Sequence, residues 1–329
     1  MNVSSPLQWK DLMSEDRRKI DLCVLILSYN RPTYLKEAVQ SVLCQDVLPL
    51  SITILDNGSS PDIRNDLREE LDHGVLWEGA EKANPSIWNF RRAIRMAGGK
   101  YFYMMHDDDR LLPSFLGKMY DFLEAHEDII AVGCNAELID GDGKCLGNSL
   151  VRKSSKDVRI FDNQMEMALL YSKDFIPFPS VVYRNGFPQK VPLNEENGKV
   201  GDAFFLCELA SHGKMAYLDQ ALFQYRIHGG QDSMVFPFDQ LRRMDEHLLT
   251  LTKSDPKIHS RVLRNVSRFE TKQALLSVFV TMSKTRAPRK IIACIEKVRT
   301  PYFNPIHIPW IVRNDWRNVK VWLGVFRSR

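Results

Sequence analysis

"LCVLILSYNRP", residues 22–32, sets six apolar residues in a row and then breaks the run with a polar turn and a proline. A continuous run of that length suits a central parallel strand, because both faces of such a strand are covered. After it, Leu35, Ala38, Val39, Val42 and Leu43 recur at helical spacing, with Pro32 near the first turn, where a missing N–H is tolerated. A second apolar run, "LSITILD" (50–56), ends in the turn "NGSS". Strand, helix and strand in that order predict a right-handed βαβ unit, and ligands of such sheets bind outside the carboxyl ends of the strands. "SYN" (28–30) and "DNGS" (56–59) both lie at such ends.

The pattern continues with "SIWNFRRAIRMAGG" (86–99), which puts Ile87, Phe90, Ile94 and Ala97 on one helical stripe and offers Gly98-Gly99 as a left-handed stop. "KYFYMM" (100–105) reads as a third strand, with "HDDDR" (106–110) emerging from its carboxyl end. Three turns from separate strand ends are therefore expected to converge on one edge of a sheet. Three adjacent aspartates repel one another and raise each other's pKa unless arginine or a metal ion sits among them. A solvated turn is the ordinary reading of an isolated Asp pair, and the convergence argues against it here. There is no GxGxxG after the first strand and no GxxxxGK[ST], so dinucleotide-binding and P-loop readings lose their main support. A nucleotide diphosphate would have to be held through a metal, and carboxylates in a tight turn supply the hard oxygens that Mg²⁺ and Mn²⁺ prefer. A calcium loop fits poorly: counted from Asp56 or Asp140 as position 1, position 12 is Leu67 or Val151, not Glu. "DGDG" (140–143) reads as a hairpin turn.

The 329 residues, 44% hydrophobic and 26% charged, suit one large α/β domain plus an appendage and argue against disorder. No apolar run reaches the 18 or so residues of a membrane span, and residues 1–22 are too charged for a signal peptide, so a cytosolic location is expected. Six scattered cysteines without a CxxC imply neither disulfides nor zinc. Residues 235–329 hold 19 Lys and Arg against 7 Asp and Glu, a net +12, which leaves −8 on residues 1–234 out of the overall +4. That change of sign, with Pro237 beyond "HGGQDS", places a boundary near residue 235.

The blocks "VLILSYNRPTYLKEAVQSVLCQ", "LDNGSS", "AGGKYFYMMHDDD", "VGDAFFLCELASHGKMAYLD" and "YRIHGGQDS" occur in an order that resembles the family 2 glycosyltransferases of GT-A fold, over residues 20–235. The resemblance implies an N-terminal extension (1–19), a GT-A domain (20–235) with a mixed, mainly parallel sheet flanked by helices, and a basic, mostly helical C-terminal region (236–329). It implies a nucleotide-sugar donor, with UDP foremost, near Ser28, Tyr29, Asn30 and Asp56, and Mn²⁺ or Mg²⁺ at a DXD motif. There Asp109 is expected as the first metal ligand, with Asp107 turned to ribose or metal, Asp108 to the sugar or the turn, and His228 near the diphosphate or metal. Asp202, in a block that usually reads Glu-Asp and here reads Gly201-Asp202, is the implied general base of an inverting transfer. As a favoured helix N-cap it also has a purely local reading, and Glu195 or Glu196 would stand in for the missing Glu. The family's NxG block is altered to Asn84-Pro85-Ser86, which leaves Asn84 only close to the donor.

Trp77, Trp88, Phe178 and Tyr183 are open to two readings, stacking on sugar or packing in the core, and "PFPS" (177–180) is either an acceptor-side wall or a loop. In the C-terminal region Arg264, Arg268 and Lys272 make a positive stripe, read as a solvated face. Trp310, Trp316, Trp322 and Phe326 interleave with Arg and Lys, a composition suited to an anionic membrane surface and a lipid-linked acceptor. The same helices would also serve a homo-oligomer, while nothing supports nucleic-acid binding. The expected activity is transfer of a sugar to a glycan, glycolipid or glycoprotein in surface polysaccharide synthesis. The competing reading is a catalytically silent nucleotide- or glycan-binding module docked by its basic tail. A nucleotidyltransferase lacks its Gly-rich loop, and sequence alone does not exclude retaining chemistry.

Overall fold

A computed structural model describes residues 16–229 and 238–284. Their contacts divide them into two compact units. One runs up to Met167 and resumes over Phe175–Met244; the other joins Ala168–Asp174 to the residues from Asp245 onward. The boundary expected near residue 235 lies outside the described residues, as do Trp310, Trp316, Trp322 and Phe326.

The first unit is built on a ten-stranded mixed sheet. Its strands are β1 (Lys19–Ser28), β2 (Leu48–Asp56), β3 (Val75–Gly79), β4 (Tyr101–His106), β5 (Arg110–Leu111), β6 (Ile129–Ile139), β7 (Cys145–Ser149), β8 (Val158–Phe161), β9 (Val182–Arg184) and β10 (Lys214–Arg226). The order is β3-β2-β1-β4-β9-β6-β10-β5, with β7 on β6 and β8 on β10. The long ladders of β1 with β2 and β4, β2 with β3, and β6 with β10 are parallel. The short β9 is antiparallel to both β4 and β6 and closes the gap between them.

Register sets the site. Ser28 stands opposite Asp56, Asp56 opposite Gly79, and Leu27 opposite His106, so the four chain ends of β1–β4 finish at one level. The first helix, α1 (Pro32–Leu43), buries the same five residues that the spacing selects: Leu35, Ala38, Val39, Val42 and Leu43. With Phe115, Leu116, Met119 and Leu123 of the helix Phe115–Ala125, they cover one face of the strands, where Val24, Ile26, Tyr103 and Met105 complete the core. Burying this many aliphatic and aromatic side chains, each contributing roughly 1.5–3 kcal/mol, supplies the main driving force for the fold. On the other face lies the helix Ser86–Met96, whose Phe90 packs edge-on to Phe178. Phe178 and Tyr183 are buried and pack on Phe205, so they are core, and "PFPS" forms a buried 3-10 turn over Phe178–Ser180. The helix Ser86–Met96 leaves helical geometry at Ala97 (ψ 123°), before either glycine, so the left-handed Gly99 (φ +69°) lies beyond the stop and does not make it.

The second unit is helical, holding the part of the helix Phe238–Thr252 from Asp245 onward and the helix Pro256–Lys284, and buries Leu248, Leu249, Val262 and Val266. Among the described residues no helix is long and apolar enough to cross a membrane.

Candidate active site

At the carboxyl end of β2, Asp56 is buried and its Oδ2 accepts hydrogen bonds from Gly58 N (3.2 Å) and Ser59 N (3.0 Å). Its Oδ1 is buried without a partner among the described residues. Gly58 makes this tight turn at φ +79°, and a Cβ there would stand 2.3 Å from the Lys82 carbonyl carbon. Across from it, Asn30 holds the left-handed conformation (φ +51°), with its N–H donating to Ser59 Oγ (2.9 Å) and its Oδ1 accepting from Ser60 N (3.1 Å). Asn adopts that region more readily than most residues, so the "SYN" and "DNGS" turns lock into one another. Asn84 is tied to the same cluster, exchanging hydrogen bonds with Asn57 at 2.8 and 3.2 Å. Ser28 lies buried with its Oγ unpartnered, while Tyr29 is exposed.

The three aspartates follow β4, and all three are buried. Asp107 Oδ2 accepts from Tyr29 N (2.9 Å) and Oδ1 from Arg31 Nη1 (3.0 Å). Burial and the neighbouring Asp108 nevertheless push its carboxyl up to about 6, against the pull of Arg31. Asp108 Oδ2 meets the same Arg31 Nη1 (3.1 Å) and His228 Nε2 (3.0 Å). Burial pushes this carboxyl up, but His106, His228 and Arg31 outweigh burial and hold it below the usual range. Asp109 is placed differently. Among the described residues its Oδ1 accepts only the backbone N–H of Arg226 (3.0 Å) and its Oδ2 is buried without a partner, and burial and the charge of Asp108 push it well above the usual range.

Arg226, at the end of β10, explains how so much charge is held in place. Its guanidinium is fully buried. Nε donates to the Asp108 carbonyl (2.8 Å), Nη1 to the Gly141 carbonyl (3.0 Å), and Nη2 pairs with Glu37 of α1, while the group stacks 4.5 Å from the Tyr34 ring. A guanidinium suits this place because its planar fork reaches several acceptors at once. His228 packs on the other partner of that stack, 5.1 Å from Tyr34. Pairing of β5 with Phe223 and Gln224 of β10 fixes the exit of the acidic turn.

A divalent cation fits these residues. His106, Asp108 and Asp109 each offer a ligand atom, all within 4.8 Å of one another. His106 Nε2 is, like Asp109 Oδ2, shielded and without a hydrogen-bond partner among the described residues, and burial holds this imidazole below its usual pKa. Asp107 and His228, both expected beside the metal, are bonded to Tyr29 and Arg31 and to Asp108, respectively.

Asp202 lies in the first turn of a helix spanning Gly201–Leu209. The expected helix from Asp202 to Gly213 thus starts one residue earlier and stops before β10. Val200 occupies the N-cap position, so Asp202 does not cap the helix, although its Oδ1 accepts from Ala203 N (2.8 Å). The side chain is open to solvent. Desolvation by the surrounding protein pushes its carboxyl up to about 6 against the pull of the Ala203 N–H; solvent access limits the size of the shift, not its direction. A chain of edge-on aromatic contacts, His106 to Phe90 (5.7 Å), Phe90 to Phe178 (5.3 Å) and Phe178 to Phe205 (6.1 Å), joins the acidic turn to this helix. Glu195 pairs with Arg91 at 2.8 Å. Sequence reasoning missed His106, Arg31 and Arg226. The signal for His106 was present in "HDDDR", since a ligand-type side chain directly precedes the carboxylates at the strand end. Arg31 and Arg226 are set by contacts 76 to 189 residues away along the chain, which no local motif carries.

Residues 23–180 match the model of "Glycosyl transferase family 2". An uncharacterized glycosyltransferase of Haemophilus influenzae is 24% identical over 254 residues, covering 75% of this chain and 79% of its own. A Campylobacter jejuni protein named GalNAc(5)-diNAcBac-PP-undecaprenol beta-1,3-glucosyltransferase is 26% identical over 216 residues, 65% of this chain and 66% of its own. Among solved structures, S. aureus TarS 1-349 in complex with UDP-GlcNAc superposes with a TM-score of 0.57 at 14% identity, covering 85% of this chain and 80% of that one. At that identity the likeness speaks for the fold.

Proposed function

This chain carries a family 2 glycosyltransferase domain of GT-A fold, and from that premise we propose that it is a metal-dependent, inverting enzyme. It would move a sugar from a UDP-sugar to a hydroxyl of a glycan or lipid-linked acceptor in surface polysaccharide synthesis. One observation carries the reading: a turn of three buried carboxylates in which Asp109 keeps an oxygen without a donor among the described residues. A buried charge left in this state is costly unless a cation completes it. Bound there, a divalent ion supplies the Lewis acid that neutralises the charge growing on the departing diphosphate.

The chain's own residues divide the remaining work. Asp56 Oδ1, in the turn interlocked with "SYN", accepts a hydrogen bond from the base. Asn30 and Asn84 hold that turn, Ser28 and Tyr29 border it, and Asp107, anchored by Tyr29 N and Arg31, orients the ribose side of the donor. Asp202 takes the acceptor hydroxyl proton on a carboxylate oxygen. The acceptor oxygen bonds to the anomeric carbon as the bond to the diphosphate breaks, and UDP leaves. A base raised to about 6 is ionised at neutral pH yet basic enough to help. A UDP-sugar donor agrees with the UDP-GlcNAc complex of TarS, and a lipid-linked acceptor with the undecaprenol named for the Campylobacter relative. In this reading the enzyme works at the cytosolic face of a membrane, with the basic, Trp-containing segment 310–326 as the docking element.

The test is UDP release from a panel of UDP-sugars with Mn²⁺, with EDTA, and with Asp202→Asn. Release that requires Mn²⁺ and is lost in the variant supports the proposal. No release with any donor would favour the silent binding module, and release unchanged by EDTA and by the substitution contradicts the mechanism.

A further inference from the structure

We propose that His106 is itself a ligand of the divalent ion, completing a mixed nitrogen and oxygen set with Asp108 and Asp109, and that it biases the site toward first-row transition ions over Mg²⁺. The inference rests on the metal-dependent reading above and deepens it.

The placement follows from strand geometry. Side chains alternate along β4, so Met105 points into the core on the side of α1, and His106 points to the opposite side, where it meets Phe90. The strand ends there, and the chain turns back through the aspartates to pair β5 with β10. That turn brings ligand atoms of Asp108 and Asp109 within 4.8 Å of an imidazole nitrogen, a spacing one ion can bridge with a small adjustment. Within these residues, His106 Nε2 and Asp109 Oδ2 are cut off from solvent and have no hydrogen-bond partner among the described residues. Asp109 is 1% exposed, so water does not serve it from outside. An acceptor and a ring nitrogen left open on two residues of one such cluster are the complement of a cation that binds both.

The second histidine makes the contrast. His228 Nε2 already bonds Asp108 Oδ2 at 3.0 Å, and its ring packs on Tyr34. Its placement suits steadying a ligand carboxylate more than donating to the metal. Mg²⁺ favours an all-oxygen octahedral shell, whereas imidazole is a common ligand of first-row transition ions. One imidazole in place of an oxygen therefore shifts selectivity away from Mg²⁺.

Electron spin-echo envelope modulation on the full chain loaded with Mn²⁺ tests this directly. The wild-type protein should show modulation from a directly bound imidazole nitrogen, and that pattern should change when the histidines carry nitrogen-15, a readout that needs no substitution. The pattern should be lost in His106→Asn and in His106→Gln and persist in His228→Asn. Mn²⁺ affinity should fall about 10-fold or more in the His106 variants, with Mg²⁺ affinity changing far less. Bound Mn²⁺ without histidine modulation, or modulation that disappears only with His228→Asn, overturns the role of His106 while leaving metal dependence standing. No Mn²⁺ binding by the wild-type chain overturns the metal-dependent reading, and this inference with it.

Discussion

The protein has two acidic turns at the ends of neighbouring parts of one sheet, and they meet opposite fates. In the hairpin joining β6 to β7, Asp140 Oδ1 accepts from Asp142 N (3.1 Å) and Lys144 N (2.9 Å), so a local backbone loop satisfies the carboxylate at the surface. In the turn after β4, three carboxylates are buried, and their donors come from afar: Tyr29, Arg31, Arg226 and His228. Even so, one oxygen of Asp109 stays open. The same arginine touches both turns, donating Nε to the Asp108 carbonyl and Nη1 to the Gly141 carbonyl. The number of acids is similar in the two places. What separates a structural turn from a site is whether the acceptors are closed locally or left for a ligand.

A third acid sets the largest expected effect. Asp202 is open to solvent and bonded only to its own helix turn, so Asp202→Asn should remove proton transfer and lower kcat by about 10² to 10⁴-fold without weakening donor binding. Because the ionised form is the base, the wild-type rate should fall as pH drops through about 6. A pH-rate profile with no acid limb there, or a variant that loses donor affinity instead of kcat, breaks the assignment.

Arg226→Met tests the link between the turns. Removing this buried guanidinium leaves the Asp108 and Gly141 carbonyls without their donor, at about 1–3 kcal/mol each, and leaves the partly exposed Glu37 with Arg110 alone among the described residues, 3.5 Å away. Denaturant unfolding should register that loss, and a change under about 1 kcal/mol would show that the arginine does not hold the turns.

The helical unit offers a control in which a buried acid has another acid for a neighbour. Burial and Glu270 push the Asp245 carboxyl up to about 8. With its folded pKa above its unfolded one, the native state binds the extra proton, and stability falls as pH rises through the interval up to about 8. Asp245→Asn, which stays neutral, should therefore raise stability more at pH 8 than at pH 5. Thermal melts at the two pH values decide it, and an equal shift at both rejects the titration.

The smallest effect belongs to the closed turn. Asp140→Asn should cost about 1 kcal/mol or less of stability and leave UDP release nearly unchanged. A large loss of activity would mean that the hairpin belongs to the site.

Much of this was legible in the chain. The runs at 22–27, 50–56 and 100–105 are continuous because both faces of their strands are covered, and they became β1, β2 and β4 with ends one to three residues off. Helical spacing found α1 residue for residue. By contrast, β5 and β9 are two and three residues long and exist through pairing with distant strands, so no periodicity announces them. "HDDDR" marked the site, but which carboxylate stays open depends on Arg31 and Arg226, brought in by tertiary packing. The N-cap reading of Asp202 failed by two residues because the 3-10 segment Glu195–Val200 runs straight into the helix and moves the cap to Val200.

The central claim is that an open acceptor at Asp109 marks a cation site and a closed one at Asp140 does not. Calorimetric titration of Mn²⁺ into the wild-type chain, Asp109→Asn and Asp140→Asn addresses it most directly. Binding by the wild-type protein and Asp140→Asn, with at least about 10-fold weaker binding by Asp109→Asn, is the predicted result. Equal binding by Asp109→Asn, or loss of binding in Asp140→Asn alone, would contradict it.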